Sequence, residues 1–186
     1  ATLALTFTAS EATSTFAVDD IAVNDGTLSS LSATSTTVYT ATYTPTGDGA
    51  VTIDVAASTF TDAAGNDNTA ATQFNWTYDG TVPIISSISL ASDNSTIAVT
   101  MSEAVYNASG GSGSLETSDF ALSISGGTAT LSSSTPSSIS ASGNIYTLGI
   151  GLSGTPDGSD VLTVVPVDDG IYDGAGNEAS TTQSNN

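Results

Sequence analysis

The chain has 186 residues, no Lys, Arg, His or Cys, and 19 carboxylates that give a formal net charge of −19. Without a basic side chain it cannot neutralise phosphates, so nucleic acid is excluded as a partner. Serine-type hydrolysis lacks its general base, thiolate metal sites and disulfides lack their ligand, and no apolar run has the length that membrane insertion demands.

Apolar residues alternate with Thr, Ala, Asp or Asn at Leu3, Leu5 and Phe7, then at Tyr39, Ala41 and Tyr43, at Val51, Ile53 and Val55, and at Phe74, Trp76 and Tyr78. This two-residue period puts one apolar and one polar face on each segment, the pattern of half-buried strands. The second half repeats it at Ile97, Val99 and Met101, at Phe120, Leu122 and Ile124, along Tyr146, Leu148, Ile150 and Leu152 as one run, and at Leu162 and Val164. Asn24-Asp25-Gly26, Thr46-Gly47-Asp48-Gly49, Asp93-Asn94, Gly126-Gly127, Pro156-Asp157-Gly158 and Asp169-Gly170 fall between the runs. These are residues that form Asx turns or tolerate positive φ. Short strands with a turn about every 8 to 12 residues predict an all-β fold of two tandem immunoglobulin-like antiparallel β-sandwiches stacked end to end.

Tyr78-Asp79-Gly80-Thr81-Val82-Pro83 ends one apolar run and precedes the next, which starts at Ile84, so domains are expected over residues 1–79 and 80–186. The segments from Asn107 to Ser114 and from Ser132 to Ser142 read as exposed loops that lengthen the second domain. Ser10-Glu11-Ala12 with Asp62-Ala63-Ala64-Gly65-Asn66 returns as Ser102-Glu103-Ala104 with Asp173-Gly174-Ala175-Gly176-Asn177, which marks an internal duplication. Aligning Ala1-Thr2-Leu3 with Ser95-Thr96-Ile97 leaves Ile84 to Leu90 without a counterpart in the first domain, which is therefore expected to lack its first strand, while the last strand of the second is expected to be cut short. A preceding segment or an identical neighbouring subunit is expected to fill that first place, since an open strand edge leaves backbone groups unpaired.

The ordered set of Ser-Glu-Ala, Tyr39-Thr40-Ala41-Thr42-Tyr43-Thr44-Pro45 with Gly47-Asp48-Gly49, and Phe60-Thr61-Asp62-Ala63-Ala64-Gly65-Asn66 followed by Tyr78-Asp79-Gly80 resembles the bacterial immunoglobulin-like repeats of large secreted adhesins and surface proteins. The resemblance implies a stalk or spacer role at the cell surface, neighbouring repeats of the same chain or identical filament subunits as partners, and frequent calcium dependence.

In an immunoglobulin-like topology the loops after the second and sixth strands are neighbours. Glu103, Asp173 and Asn177 are thus expected to converge where Asp79 arrives on the linker, forming an oxygen cage suited to calcium. Glu11, Asp62 and Asn66 form the corresponding partial set in the first domain. The same Asp residues are equally suited to closing their own turns through backbone amides.

Enzymatic activity is not expected. Asp19-Asp20 and Asp168-Asp169 are adjacent in sequence, and adjacent strand residues point to opposite faces and cannot flank one bond. A structural repeat is the expected function, and a module binding surface carbohydrate is the alternative, to be distinguished by exposed aromatic rings. The aromatics stand on apolar faces, Trp76 among them, which favours the structural role.

Overall fold

The computed structural model describes Ala1–Asn186. The chain folds as two compact units, Ala1–Gly80 and Thr81–Asn186. Both are all-β, with antiparallel pairing throughout and one single-turn 3-10 segment each, Val18–Asp20 and Thr117–Asp119.

Unit 1 contains β1 (Leu3–Thr8), β2 (Ile21–Val23), β3 (Gly26–Leu28), β4 (Ser32–Ala33), β5 (Val38–Pro45), β6 (Gly49–Val55) and β7 (Phe74–Tyr78). One sheet runs β1-β5-β3 with β4 also on β5, and the other runs β2-β6-β7. Their inner faces meet in a core of Ile21, Tyr43, Val51, Ile53 and Val55, against which Leu3, Leu5, Phe7, Leu28, Trp76 and Tyr78 pack. The period-2 alternation decides this arrangement, because it places every second residue of β5 and β6 inside. Trp76 lies on this core, edge-on to Tyr43 with ring centroids 6.3 Å apart.

Unit 2 contains β8 (Ile85–Leu90), β9 (Thr96–Met101), β10 (Phe120–Ser125), β11 (Thr130–Leu131), β12 (Ile139–Ser142), β13 (Ile145–Gly149), β14 (Leu152–Ser153) and β15 (Val161–Pro166). A four-stranded sheet β12-β13-β9-β8 faces the β10-β15 pair, and β11-β14 forms a short third ladder. Ile85, Ile97, Val99, Met101, Tyr146 and Leu148 from the first layer interlock with Phe120, Leu122 and Val164 from the second.

Three sequence expectations are corrected here. The segment from Ser132 to Ser142 is not all loop: Ile139–Ser142 is a strand paired with β13, its alternation hidden because its three exposed positions, Ser140, Ala141 and Ser142, carry only Ser or Ala. The single run from Tyr146 to Leu152 is divided between two sheets, β13 ending at Gly149 and β14 starting at Leu152. Gly149 and Gly151 flank that break, and a Cβ at either would fall against a Ser hydroxyl.

The third correction concerns register. Tyr39 pairs with Phe7 and donates its hydroxyl to the Thr13 carbonyl at 2.7 Å. Tyr146 pairs with Val99 and donates to the Val105 carbonyl at 3.4 Å. Phe7 therefore corresponds to Val99 and Leu5 to Ile97, two residues away from the alignment of Leu3 with Ile97. The Ser-Glu-Ala motif stays in phase with these tyrosine anchors, whereas the apolar alternation alone leaves the register free by steps of two.

Candidate metal centre

The Asp-x-Ala-Gly-Asn segment folds identically in both units. In unit 1, Asp62 Oδ1 accepts the amides of Ala64 at 2.9 Å and Asn66 at 2.8 Å, while Oδ2 accepts Asn66 Nδ2 at 2.8 Å. The Asp62 amide donates back to the Asn66 carbonyl at 3.0 Å. In unit 2, Asp173 Oδ1 accepts Ala175 at 2.9 Å and Asn177 at 2.7 Å, Oδ2 accepts Asn177 Nδ2 at 2.8 Å, and the Asp173 amide donates to the Asn177 carbonyl at 3.0 Å. The loop needs a residue at positive φ before the Asn, and Gly65 at 90° and Gly176 at 92° supply it without the steric cost of a Cβ. The turn-closing role weighed from the sequence is thus present at both Asp residues.

Surroundings separate the two copies. Asp62 is partly exposed, and its carboxyl is held below the usual value of 3.8, first by the Asn66 side chain and then by the Asn66 amide. Asp173 is fully buried, at 0% exposure. A buried carboxylate requires compensation from hydrogen bonds or from a cation, and in a chain with no Lys, Arg or His the cation cannot come from a side chain.

Glu103 and Asp173 each place one carboxylate oxygen within 4.8 Å of the other. Asp79 follows the last residue of β7, and Glu103 lies two residues beyond the end of β9. Each of these two is partly buried. Asn177 is held on the Asp173 carboxylate. All the ligand atoms on offer are hard oxygens, the donor set of calcium rather than of zinc or copper. In unit 1, Glu11 is exposed and lines one groove with Asp62 and Asn66.

The sequence reading missed Asp48. Taken only as a turn residue, it accepts the Gly80 amide on Oδ1 at 2.7 Å and so tethers the segment immediately after Asp79. Its signal was positional: Gly49 pairs with Tyr78 in the β6-β7 ladder, which brings the turn before β6 to the end of β7. Asp19-Asp20 has another explanation as well. Asp20 accepts the Ala17 amide at 2.8 Å, and Asp119 accepts the Glu116 amide at 2.7 Å, each closing the 3-10 turn that leads into a strand. Burial raises the Asp119 carboxyl above its usual value, partly offset by that amide bond.

The sequence profile of the bacterial Ig-like domain matches residues 1–78, the whole of unit 1 up to the end of β7. Residues 1–78 are a bacterial Ig-like domain. Domains of that family are structural folds, typically of surface or extracellular proteins. No curated protein and no solved structure matches the chain. Unit 2 carries the same loop, the same tyrosine anchor and the same 3-10 turn as this Ig-like domain, with one further strand, β8, beside β9. No helix is long and apolar enough to cross a membrane.

Proposed function

We propose that this chain is a structural repeat of an extracellular stalk or surface filament, in which calcium held by Asp79, Glu103 and Asp173, with Asn177 fixing the Asp173 carboxylate, stiffens the connection leading into unit 2. The observation that carries this reading is the Glu103 carboxylate within 4.8 Å of the fully buried Asp173 carboxylate in a chain without one basic side chain. Two unit charges 4.8 Å apart repel by about 3.5 kcal/mol at an effective dielectric near 20, and a divalent cation turns that repulsion into attraction. The cation's chemistry here is mechanical: it ties Asp79, next to the tethered Gly80, to the loop closed by Asp173 and Asn177. In unit 1, Glu11, Asp62 and Asn66 supply a weaker, solvent-open version of the same donors.

A site of about 0.5 mM affinity, within the range of extracellular calcium modules, stabilises by about 1.4 kcal/mol at 5 mM calcium. For a domain of this size that raises the melting temperature by roughly 6 °C. Calorimetry in chelator and in 5 mM calcium is the test, and Glu103→Ala is expected to abolish most of the shift while melting no lower than the parent in chelator. A melting temperature indifferent to calcium sinks the metal reading.

The alternative of a carbohydrate-binding module receives less support. Such a site needs rings presented together to solvent, whereas Tyr39 and Tyr43 are buried, and Trp76 packs edge-on to Tyr43 and 5.6 Å from Tyr78.

A further inference from the structure

The two copies of the Asp-x-Ala-Gly-Asn loop differ in what lies over them. The tyrosine anchors align Thr13 with Val105, since Tyr39 and Tyr146 donate to those two carbonyls. The bridges agree: Thr13 stands opposite Asp62 and Tyr106 opposite Tyr172, which places Val105 opposite Asp173 in the same antiparallel register. Each unit then enters its 3-10 turn, after Ala17 or after Glu116, directly behind a residue that packs on the core, Phe16 or Leu115. Ala17 follows Thr13 by four positions and Glu116 follows Val105 by eleven, so unit 2 carries seven residues more at this point.

The extra residues turn back on themselves, with Ala108 bridged to Ser112, and they lie on the Asp173 loop. A Cβ built on Gly111 would stand 3.4 Å from the Gly174 Cα and 3.5 Å from its carbonyl oxygen, so glycine here lets two backbones approach. A Cβ on Gly176 would meet Ser109 Oγ at 2.7 Å and the Gly110 nitrogen at 3.7 Å, whereas Gly65, its counterpart in unit 1, has nothing within 4 Å of that position. The loops share their hydrogen bonds and their glycine φ. Yet Gly65 and Asn66 are exposed where Gly176 and Asn177 are partly buried, and Asp62 is partly exposed where Asp173 is fully buried. With internal geometry equal, the contrast in burial belongs to the neighbours.

We infer that the seven-residue insertion of unit 2 is a cover, which shuts water out of the Asp173 loop and makes a turn-closing carboxylate a buried one. Water cannot then compete for the amides that the carboxylate accepts, and its charge acts on a nearby cation at a lower effective dielectric. Unit 2 therefore holds calcium more tightly with the insertion than without it. That last step rests on the calcium reading above; the exclusion of water does not.

The test deletes Ala108–Ser114 from the full chain, which joins Asn107 to Leu115 and gives unit 2 the spacing of unit 1. Amide hydrogen exchange is read first in chelator, where calcium plays no part. In the parent the Asn177 amide is expected to exchange at least about tenfold more slowly than the Asn66 amide, although the two donate to an aspartate Oδ1 at 2.7 and 2.8 Å. Deletion is expected to abolish that difference while the core amides of β9 and β13 stay as slow as before. Gly111→Val keeps the chain length and serves if the deletion fails to fold: a β-branched residue is strained at φ 76°, and its side chain presses on Gly174, so the insertion is expected to lift and exchange at Ala175 and Asn177 to quicken. Titration calorimetry with calcium chloride then compares parent and deleted chain, and the deleted chain is expected to bind at least about tenfold more weakly.

An Asn177 amide that stays slow after deletion, or that is already as fast as Asn66 in the parent, overturns the cover. A parent that binds no calcium refutes the metal reading while the exchange data still decide the cover. Accelerated exchange with unchanged calcium affinity upholds the exclusion of water and overturns the claim on the cation.

Discussion

Replacing Asp173 by Ala removes three acceptor contacts at once, from the amides of Ala175 and Asn177 and from Asn177 Nδ2, at 2.9, 2.7 and 2.8 Å. Hydrogen bonds to a charged acceptor contribute about 1.5 to 3 kcal/mol each, but the three are not additive, and the substitution also relieves the desolvation of a buried carboxylate. The net loss expected in chelator, where no metal contributes, is about 3 kcal/mol, or roughly 12 °C in the melting of unit 2. Asp62→Ala deletes the same three contacts from an identical loop, but water reaches that loop and replaces much of what is lost, so a clearly smaller shift is expected. Calorimetry reads both units, while the fluorescence of Trp76, the chain's single tryptophan, follows unit 1 alone. A shift below about 3 °C for Asp173→Ala, or an equal loss for Asp62→Ala, refutes the argument that burial sets the weight of this loop.

Asn66→Ala should raise the Asp62 carboxyl toward its usual value, because the Asn66 side chain is the largest of the influences that lower it. Carboxyl NMR titration measures this directly. A carboxylate with a depressed native pKa adds stability that is present above the unfolded value of 3.8 and is lost as pH falls through the native one, so the acid sensitivity of unit 1 should diminish in the variant. Tyr43→Phe deletes the hydroxyl that donates to the Asn24 carbonyl at 2.7 Å from a ring with 0% exposure; the expected cost is about 1 to 1.5 kcal/mol, seen in the Trp76 transition of urea unfolding and absent from unit 2.

Strands with a clean apolar-polar alternation, such as Val38–Pro45 and Gly49–Val55, were legible because one face is core and the other solvent. Ile139–Ser142 was not, since an edge strand facing solvent can be built from Ser and Ala and then looks like a loop. The tyrosine register was hidden for a different reason: a strand slipped by two residues keeps every side chain on its proper face, and only the hydroxyl bonds of Tyr39 and Tyr146 distinguish the alternatives. Within unit 2, loop adjacency brought Glu103 and Asp173 together as the sequence suggested, but the contrast between buried Asp173 and partly exposed Asp62 is a property of packing that identical motifs cannot display. Asp48 escaped because its partner is a backbone amide, which leaves no mark on the sequence.

The loops of this protein are fastened by carboxylates that grip backbone amides: Asp20, Asp62, Asp119 and Asp173 each hold an N–H of their own turn. Apart from the amino terminus, nothing in the chain carries positive charge. Dissolved salt therefore finds no ion pair between side chains to weaken and only mutual repulsion to damp. Between side-chain charges, ionic strength in the absence of calcium thus acts in one direction, by damping repulsion.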